Sequence, residues 1–192
     1  MLVLASASPR RQDLLRAAGF DFVVDAADVD ESRLPAETPR QYVERLACAK
    51  ARSVSQRHPD ALVLGADTAV VLGDEVLGKP DSPEAAAAML GRLSGRAHEV
   101  LTGVAVIGRG QVRSRVEQTT VWIQRLSPQD VAAYVASGEP LDKAGAYAIQ
   151  GLASRFVSRI DGSYSNVVGL PLVAVAQLLR AEMAPGGGQT LV

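Results

Sequence analysis

Hydrophobic and polar positions along this chain follow a strand period in some stretches and a helix period in others, and the switches mark its elements. Val3, Leu4 and Ala5 form a short apolar run that reads as a buried strand. Ser8-Pro9 then opens a helix, because serine offers a capping oxygen and proline lacks the N–H that a first helical residue leaves unpaired. Leu14, Leu15, Ala17 and Ala18 continue it and Gly19 ends it. Residues 20–24 are a second short strand, and the polar stretch 25–38 reads as a loop. Thr38-Pro39 repeats the cap-then-proline signal and starts a helix whose apolar side carries Tyr42, Val43, Leu46, Ala47 and Ala49 toward Val54. Residues 61–72 are the most strand-like segment. Ser82-Pro83-Glu84 starts a third helix with Met89, Leu90 and Leu93 on its buried stripe. Residues 99–107 and 112–123 read as strands joined through Gly108 and Gly110, and Ser127-Pro128 begins a helix that ends near Gly138. Residues 155–160 and 163–168 flank Asp161-Gly162, which predicts a hairpin. Residues 170–183 predict a last amphipathic helix, and 185–192, with three consecutive glycines, a flexible tail.

Strands and helices alternate without an internal repeat or a break in composition. The expectation is one α/β domain over residues 1–184, long enough for a sizeable core or for two lobes sharing a cleft. The net charge of −1 gives no overall pull toward nucleic acid or an anionic membrane, so any anion must be recognised locally. Cys48 is the only cysteine, which excludes an intramolecular disulfide and a cysteine-based zinc site. No apolar run reaches membrane-spanning length and no secretory signal pattern is present, so the simplest expectation is a soluble cytoplasmic protein.

Three stretches carry unusual chemistry. Arg10 and Arg11 fall in the first turn of the first helix, at the positive end of its dipole, where carboxylates are preferred. An anion held there by free N–H groups, Ser6, Ser8 and the guanidinium groups makes the placement favourable. The plain alternative is one arginine paired with a carboxylate and the other solvated. Asp67 lies inside the apolar run 62–72, where an ionised carboxylate is costly unless paired, hydrogen-bonded or metal-bound. It marks either a strand end that opens into a ligand crevice or a structural ion pair. Lys50 shares a helical face with Leu46 and Ala47, Lys79 stands between a turn and Pro80, and Glu31 lies in the acidic loop. Together they suit triphosphate chemistry. Asp67 and Glu31 can supply hard oxygen ligands to a divalent cation, and Arg10, Arg11, Lys50 and Lys79 can neutralise phosphate oxygens. No Gly-x-x-x-x-Gly-Lys-Ser/Thr loop and no Gly-x-Ser-x-Gly elbow occurs, which removes two common hydrolase routes. His58 and His98 are too far apart in sequence to suggest a metal pair. In Gly145-Ala146-Tyr147-Ala148-Ile149-Gln150-Gly151, the glycines allow close backbone approach and Gln150 can both donate and accept, as needed to read a pyrimidine imide edge; a structural loop explains the segment equally well.

The chain resembles the Maf proteins, nucleoside triphosphate pyrophosphatases related in fold to the inosine triphosphate pyrophosphatases. The resemblance runs from Leu2 to about Leu179 and rests on Ala5-Ser6-Ala7-Ser8-Pro9-Arg10-Arg11, Gly65-Ala66-Asp67-Thr68, Gly78-Lys79-Pro80, Leu93-Ser94-Gly95-Arg96, Asp142-Lys143-Ala144-Gly145-Ala146-Tyr147, Ile149-Gln150-Gly151 and Val168-Gly169-Leu170-Pro171-Leu172. It implies an α/β fold with a mixed, twisted sheet and a deep cleft between two lobes, and cleavage between the α- and β-phosphates to give a monophosphate and pyrophosphate. It places Asp67 at the proton acceptor, Glu31, Lys50 and Lys79 among the polar groups for metal and phosphate, and Arg10, Thr68 and Gln150 at positions linked to base selectivity. Ser6, Ser8 and Arg11 match the phosphate side. The implied cofactor is Mg²⁺, Mn²⁺ or Co²⁺, with Asp67 and Glu31 as its ligands, and the implied assembly is a homodimer. The segment 142–151 resembles the branch acting on dTTP and UTP rather than the 7-methyl-GTP branch, with Ala148 as a departure from the usual glycine. Modified pyrimidine nucleotides are a further substrate class to test. The family's link to septum formation suggests one alternative function, a nucleotide-binding regulator of cell division.

Overall fold

Each of the four cap-then-proline signals opens a helix in the computed structural model, which describes residues 1–183. In chain order, β1 (Leu2–Leu4) leads to α1 (Pro9–Ala17), and β2 (Val23–Val24) precedes α2 (Pro39–Ser55). β3 (Leu62–Leu72), β4 (Glu75–Leu77) and α3 (Pro83–Leu93) follow, then the long hairpin of β5 (Ala97–Gly108) and β6 (Gln111–Ile123). After α4 (Pro128–Ala136) come short 3-10 turns at Glu139–Asp142, Ala144–Ala146 and Leu152–Phe156, then β7 (Val157–Asp161), α5 (Tyr164–Val168) and α6 (Leu172–Met183). Thr38, Ser82 and Ser127 cap their helices through side-chain oxygens, two of them in reciprocal capping boxes. Ser8 sits at the N-cap of α1 but its hydroxyl caps nothing, contrary to its expected role.

The strands form one mixed sheet in the order β2-β1-β3-β5-β6-β7, with β4 also paired to β3. β1 runs parallel to both neighbours, and the remaining pairs are antiparallel. β5 pairs with one edge of β3 from Val63 to Val71. The other edge is shared: β1 covers Leu62 to Leu64 and β4 covers Val70 to Leu72. A gap is left around residues 66–69. Asp67 is therefore in mid-strand, not at a strand end, and the crevice arises because its neighbouring strand stops.

Strand alternation sends residues 63, 65, 67, 69 and 71 to one face and 64, 66, 68 and 70 to the other. α2 crosses the first face, where Ala47, Ala51 and Val54 pack on Val63 and Ala105. Its close approach depends on two glycines. A Cβ at Gly65 would lie 2.2 Å from the Ala47 carbonyl oxygen, and one at Gly103 would lie 2.2 Å from that of Val43. On the opposite face, Leu15 of α1 and Val175 and Leu179 of α6 pack on Leu4, Leu64 and Val104. Farther along that face, Leu90, Leu93, Tyr134 and Phe156 form a second core with Val70, Val100 and Val121.

The hairpin expected around Asp161-Gly162 is not formed. β7 ends at Asp161, and residues 164–168 are the helix α5, capped by the Ser163 hydroxyl and stopped at Gly169. The Ser163 N–H donates to Thr119 Oγ1, and a Cβ at Gly162 would lie 2.7 Å from the same oxygen. Buried Asn166 then donates to the Val100 carbonyl and to Thr119 Oγ1, each at 3.0 Å, pinning α5 to the sheet. The tail expected at 185–192 lies outside the described residues.

Candidate active site

The gap in the β3 edge opens into a cavity of about 660 Å³. All ten residues singled out from the sequence line it: Ser6, Ser8, Arg10, Arg11, Glu31, Lys50, Asp67, Thr68, Lys79 and Gln150.

Asp67 is 7% exposed, and Gly65, Ala69 and its cross-strand partner Gly103 leave room for α2 above it. Lys50 of α2, 8% exposed, lies over the face to which Asp67 alternates and places Nζ 2.7 Å from Asp67 Oδ1. The same Nζ lies 2.6 Å from Glu31 Oε1, so one ammonium joins both carboxylates. Burial pushes the Asp67 carboxyl up from its ordinary value, and the charges of Lys50 and Arg11 oppose that rise. Glu31 is presented by a loop that is anchored rather than free. The Tyr42 hydroxyl donates to the Glu31 carbonyl at 3.0 Å, and Arg45 donates to Ser32 O and to both Glu37 carboxylate oxygens.

On the other face, the first-turn arginines part company. Arg10 is partly exposed, with Asp142 3.7 Å away, so the plain ion-pair alternative describes it. Arg11 is buried, and each of its three nitrogens meets a neutral oxygen: Nε to Gly169 O at 2.9 Å, Nη1 to Ser6 Oγ at 3.0 Å and Nη2 to Thr68 Oγ1 at 3.1 Å. No carboxylate lies in ion-pair range of it among the described residues. Burial lowers its pKa, and Asp67 nearby counters this. A buried guanidinium satisfied by dipoles alone retains a net positive field toward the cavity, which an anion would neutralise. Thr68 also contacts Thr102 Oγ1 at 3.0 Å, and Thr102 donates to the Asn166 carbonyl. This carries the anchoring of α5 into the arginine site.

Lys79 follows β4, is exposed, and has no carboxylate partner among the described residues. Gln150 is exposed in a turn closed by the Gly151 N–H donating to the Ala148 carbonyl at 3.0 Å. The close approach expected of the flanking glycines is present. A Cβ at Gly145, whose φ is +69°, would lie 2.7 Å from Val70 Cγ1, and one at Gly151 would lie 2.4 Å from Glu139 Oε2. Lys143 also lines the cavity, its ammonium on the Asp142 carboxylate, although sequence reasoning gave it no role. The signal was present in its place beside Asp142 and two residues before the glycine segment. His58 and His98 both lie away from the cavity: His58 pairs with Asp25, and buried His98 with the Tyr147 hydroxyl.

The chemistry on offer is that of a polyanion site. Cations surround the cavity, and a buried carboxylate of raised basicity sits within it. Among the described residues no group of three or more histidine, cysteine, aspartate or glutamate side chains gathers as a metal cage. Glu31 and Asp67, whose carboxylates both meet Lys50 Nζ, are the residues that would supply hard oxygen ligands to a divalent cation, in competition with that ammonium.

Comparison with known proteins identifies the family. A family model described as Maf-like protein matches residues 1–182. A protein named dTTP/UTP pyrophosphatase from Symbiobacterium thermophilum is 54% identical over 178 residues, covering 93% of this chain and 92% of its own. Proteins of the same name from Moorella thermoacetica and Myxococcus xanthus are 56% and 53% identical, covering 93% and 96% of this chain and 93% and 94% of their own. Among solved structures, the Staphylococcus aureus Ham1 protein aligns with a TM-score of 0.50 at 15% identity, over 95% of this chain and 97% of its own, a likeness of fold. This chain belongs to the Maf family.

Proposed function

We propose that this protein hydrolyses dTTP and UTP to the nucleoside monophosphate and pyrophosphate. The observation that carries the reading is the pairing of buried Asp67 with Lys50 in the same cavity as Arg11, a buried cation with no carboxylate partner among the described residues. Relatives named dTTP/UTP pyrophosphatase, about half identical along nearly the whole chain, support the choice of nucleotide. They favour neither the 7-methyl-GTP branch nor a purely regulatory binding role.

The triphosphate occupies the cationic end, where Arg11 with Ser6 and Ser8 faces phosphate oxygens, Arg10 turns to them from its long, exposed pair with Asp142, and Lys79 approaches from the β4 side. Charge that develops on the phosphates during bond cleavage is stabilised by these preplaced donors. Asp67 takes the proton of the attacking water; its buried setting raises its affinity for that proton, and Lys50 holds it in place. Glu31 and Asp67 are the residues that would hold Mg²⁺, Mn²⁺ or Co²⁺, which would supply further neutralisation of phosphate charge. Gln150, at the tip of its turn, reads the base edge. In the same reading the enzyme is a cytoplasmic homodimer.

The test is a panel of dTTP, UTP, CTP, GTP, ATP, ITP and 7-methyl-GTP, scored for monophosphate and pyrophosphate, with and without chelator and added Mg²⁺ or Mn²⁺. Selective turnover of dTTP and UTP, lost on chelation and restored by the ion, is the expected result. Preference for 7-methyl-GTP would overturn the specificity, and undiminished turnover in chelator would overturn the metal requirement. Nucleotide binding without any turnover would put the regulatory role in place of the enzyme.

A further inference from the structure

The turn that carries Gln150 is gripped from behind by a pair of side chains that stand outside the cavity. Tyr134 of α4 is fully buried, edge-on to Phe156 with ring centroids 5.5 Å apart. Its hydroxyl donates to Glu139 Oε1 at 2.8 Å and accepts from the Ala148 N–H at 3.2 Å. The other oxygen of the same carboxylate, Glu139 Oε2, accepts from the Leu152 N–H at 3.0 Å. Ala148 and Leu152 are the two feet of the turn, and Gln150 is midway between them. Gly151 lies so close to the carboxylate that no larger residue fits without displacing it. Neither Tyr134 nor Glu139 lines the cavity.

We propose that the Tyr134–Glu139 pair is a clamp that fixes how far Gln150 stands from the base and thereby sets the preference for a pyrimidine over a purine. The inference rests on the assignment of Gln150 as base reader made above. An amide side chain can turn over to match either order of donor and acceptor, so hydrogen-bond order alone gives little selectivity. Depth is different. Uracil and hypoxanthine each present an N–H beside a C=O, but the purine carries that pair farther from the sugar. A turn held at one depth meets one ring size and clashes with or misses the other. The carboxylate accepts from both sides, so the two clamp residues act as a unit rather than as two independent bonds.

The experiment compares kcat/KM for UTP with that for ITP in the full chain and in Tyr134→Phe, Glu139→Gln, their double variant and Gln150→Ala. Tyr134→Phe keeps the ring and removes only the hydroxyl. Glu139→Gln keeps the shape but leaves one acceptor where two donors arrive. Each single clamp variant is expected to lower the UTP-to-ITP ratio about tenfold, through a higher KM for UTP with kcat within about twofold. The double variant is expected to match the singles within about twofold. An unchanged ratio in both single variants overturns the inference. So does a parallel fall for both substrates, as general loss of structure would give, or a double variant whose effect is the product of the singles. A ratio that falls in Gln150→Ala but not in the clamp variants overturns the clamp alone, whereas a flat ratio in Gln150→Ala overturns the base-reading assignment and the clamp with it. If Glu139→Gln does not fold, Tyr134→Phe decides, with faster hydrogen exchange at the Ala148 amide as its required companion.

Discussion

Replacing Lys50 with methionine tests the central pair. The variant keeps the length and apolar stem of the side chain in α2 but removes the ammonium that lies 2.7 Å from Asp67 Oδ1. Asp67 is 7% exposed, so its charge is left in a poorly solvated place. Breaking a buried pair in this way costs about 3–5 kcal/mol when the remaining group stays ionised. Asp67 has an escape, because it can bind a proton. From an ordinary pKa of 3.8, neutralising it costs about 4 kcal/mol at pH 7 and about 2 kcal/mol at pH 5. The folded parent already holds Asp67 above 3.8, so these costs are upper limits, and the destabilisation should be no more than about 4 kcal/mol at pH 7 and no more than about 2 at pH 5. The sign agrees with linkage: losing Lys50 raises the folded-state pKa of Asp67 further above its unfolded value. That contribution is present at low pH and is lost as pH rises toward the folded value. Exposed Glu31 adds little. Urea unfolding of both proteins at the two pH values measures the difference. A gap between variant and parent that is the same at pH 5 and pH 7, or absent at pH 7, refutes the reasoning. Turnover should be lost at either pH.

Three further outcomes follow from the same geometry. Gly103→Ala puts a methyl against the Val43 carbonyl and forces α2 off the sheet, so stability should fall by about 1–3 kcal/mol, seen in thermal melts. It should also lower activity by moving Lys50 from Asp67, and a variant of unchanged stability would show that α2 does not rest on this glycine. Arg11→Lys gathers the donors on one atom and loses the planar fork that spans three separate acceptors, so kcat/KM should drop by roughly a hundredfold, mostly in kcat, if the group stabilises developing phosphate charge. A pure KM effect would instead assign it to ground-state binding. His98 is 3% exposed and burial holds it down to about 4, against an ordinary 6.5. It is neutral in the folded state while the unfolded chain takes up a proton below 6.5. Stability should therefore fall by about 3 kcal/mol as pH drops from 6.5 to 4, and an NMR titration placing this ring near 6.5 would remove the effect.

Much of the architecture is legible in local patterns. The four proline-opened helices follow from cap chemistry, and the sheet strands from runs such as 62–72. The segment 163–168 misleads because Val167 and Val168 favour strands and Asp161-Gly162 favours a hairpin turn. Its helical signals were also present: Ser163 as cap and Gly169 as stop. What tips the balance is buried Asn166, whose partners Val100 and Thr119 lie on distant strands and are invisible to a local window. The site shows the same division. Residue types at Arg11, Lys50 and Asp67 announce unusual charge, and helical spacing alone tells that Lys50 faces inward. The Glu31–Lys50–Asp67 chain is not readable, because it depends on a loop tied down by Tyr42 and Arg45. Nor is the different fate of Arg10 and Arg11, which is decided by Gly169, Ser6 and Thr68.

The bond from Arg11 Nε to the Gly169 carbonyl joins groups 158 residues apart in sequence. Closing so long a loop is entropically costly, and such contacts form late when a chain assembles. The phosphate-facing end of the cavity is thus completed only after α5 has docked against a sheet that already holds β1 and α1. A chain interrupted before Gly169 could pair β3, β5 and β6 and still leave Arg11 without one of its three acceptors. Competence for catalysis is in this sense a proofreading of folding itself: only a molecule whose first and last thirds have met can hold a triphosphate. By mass action, the nucleotide in turn resists any opening that separates them.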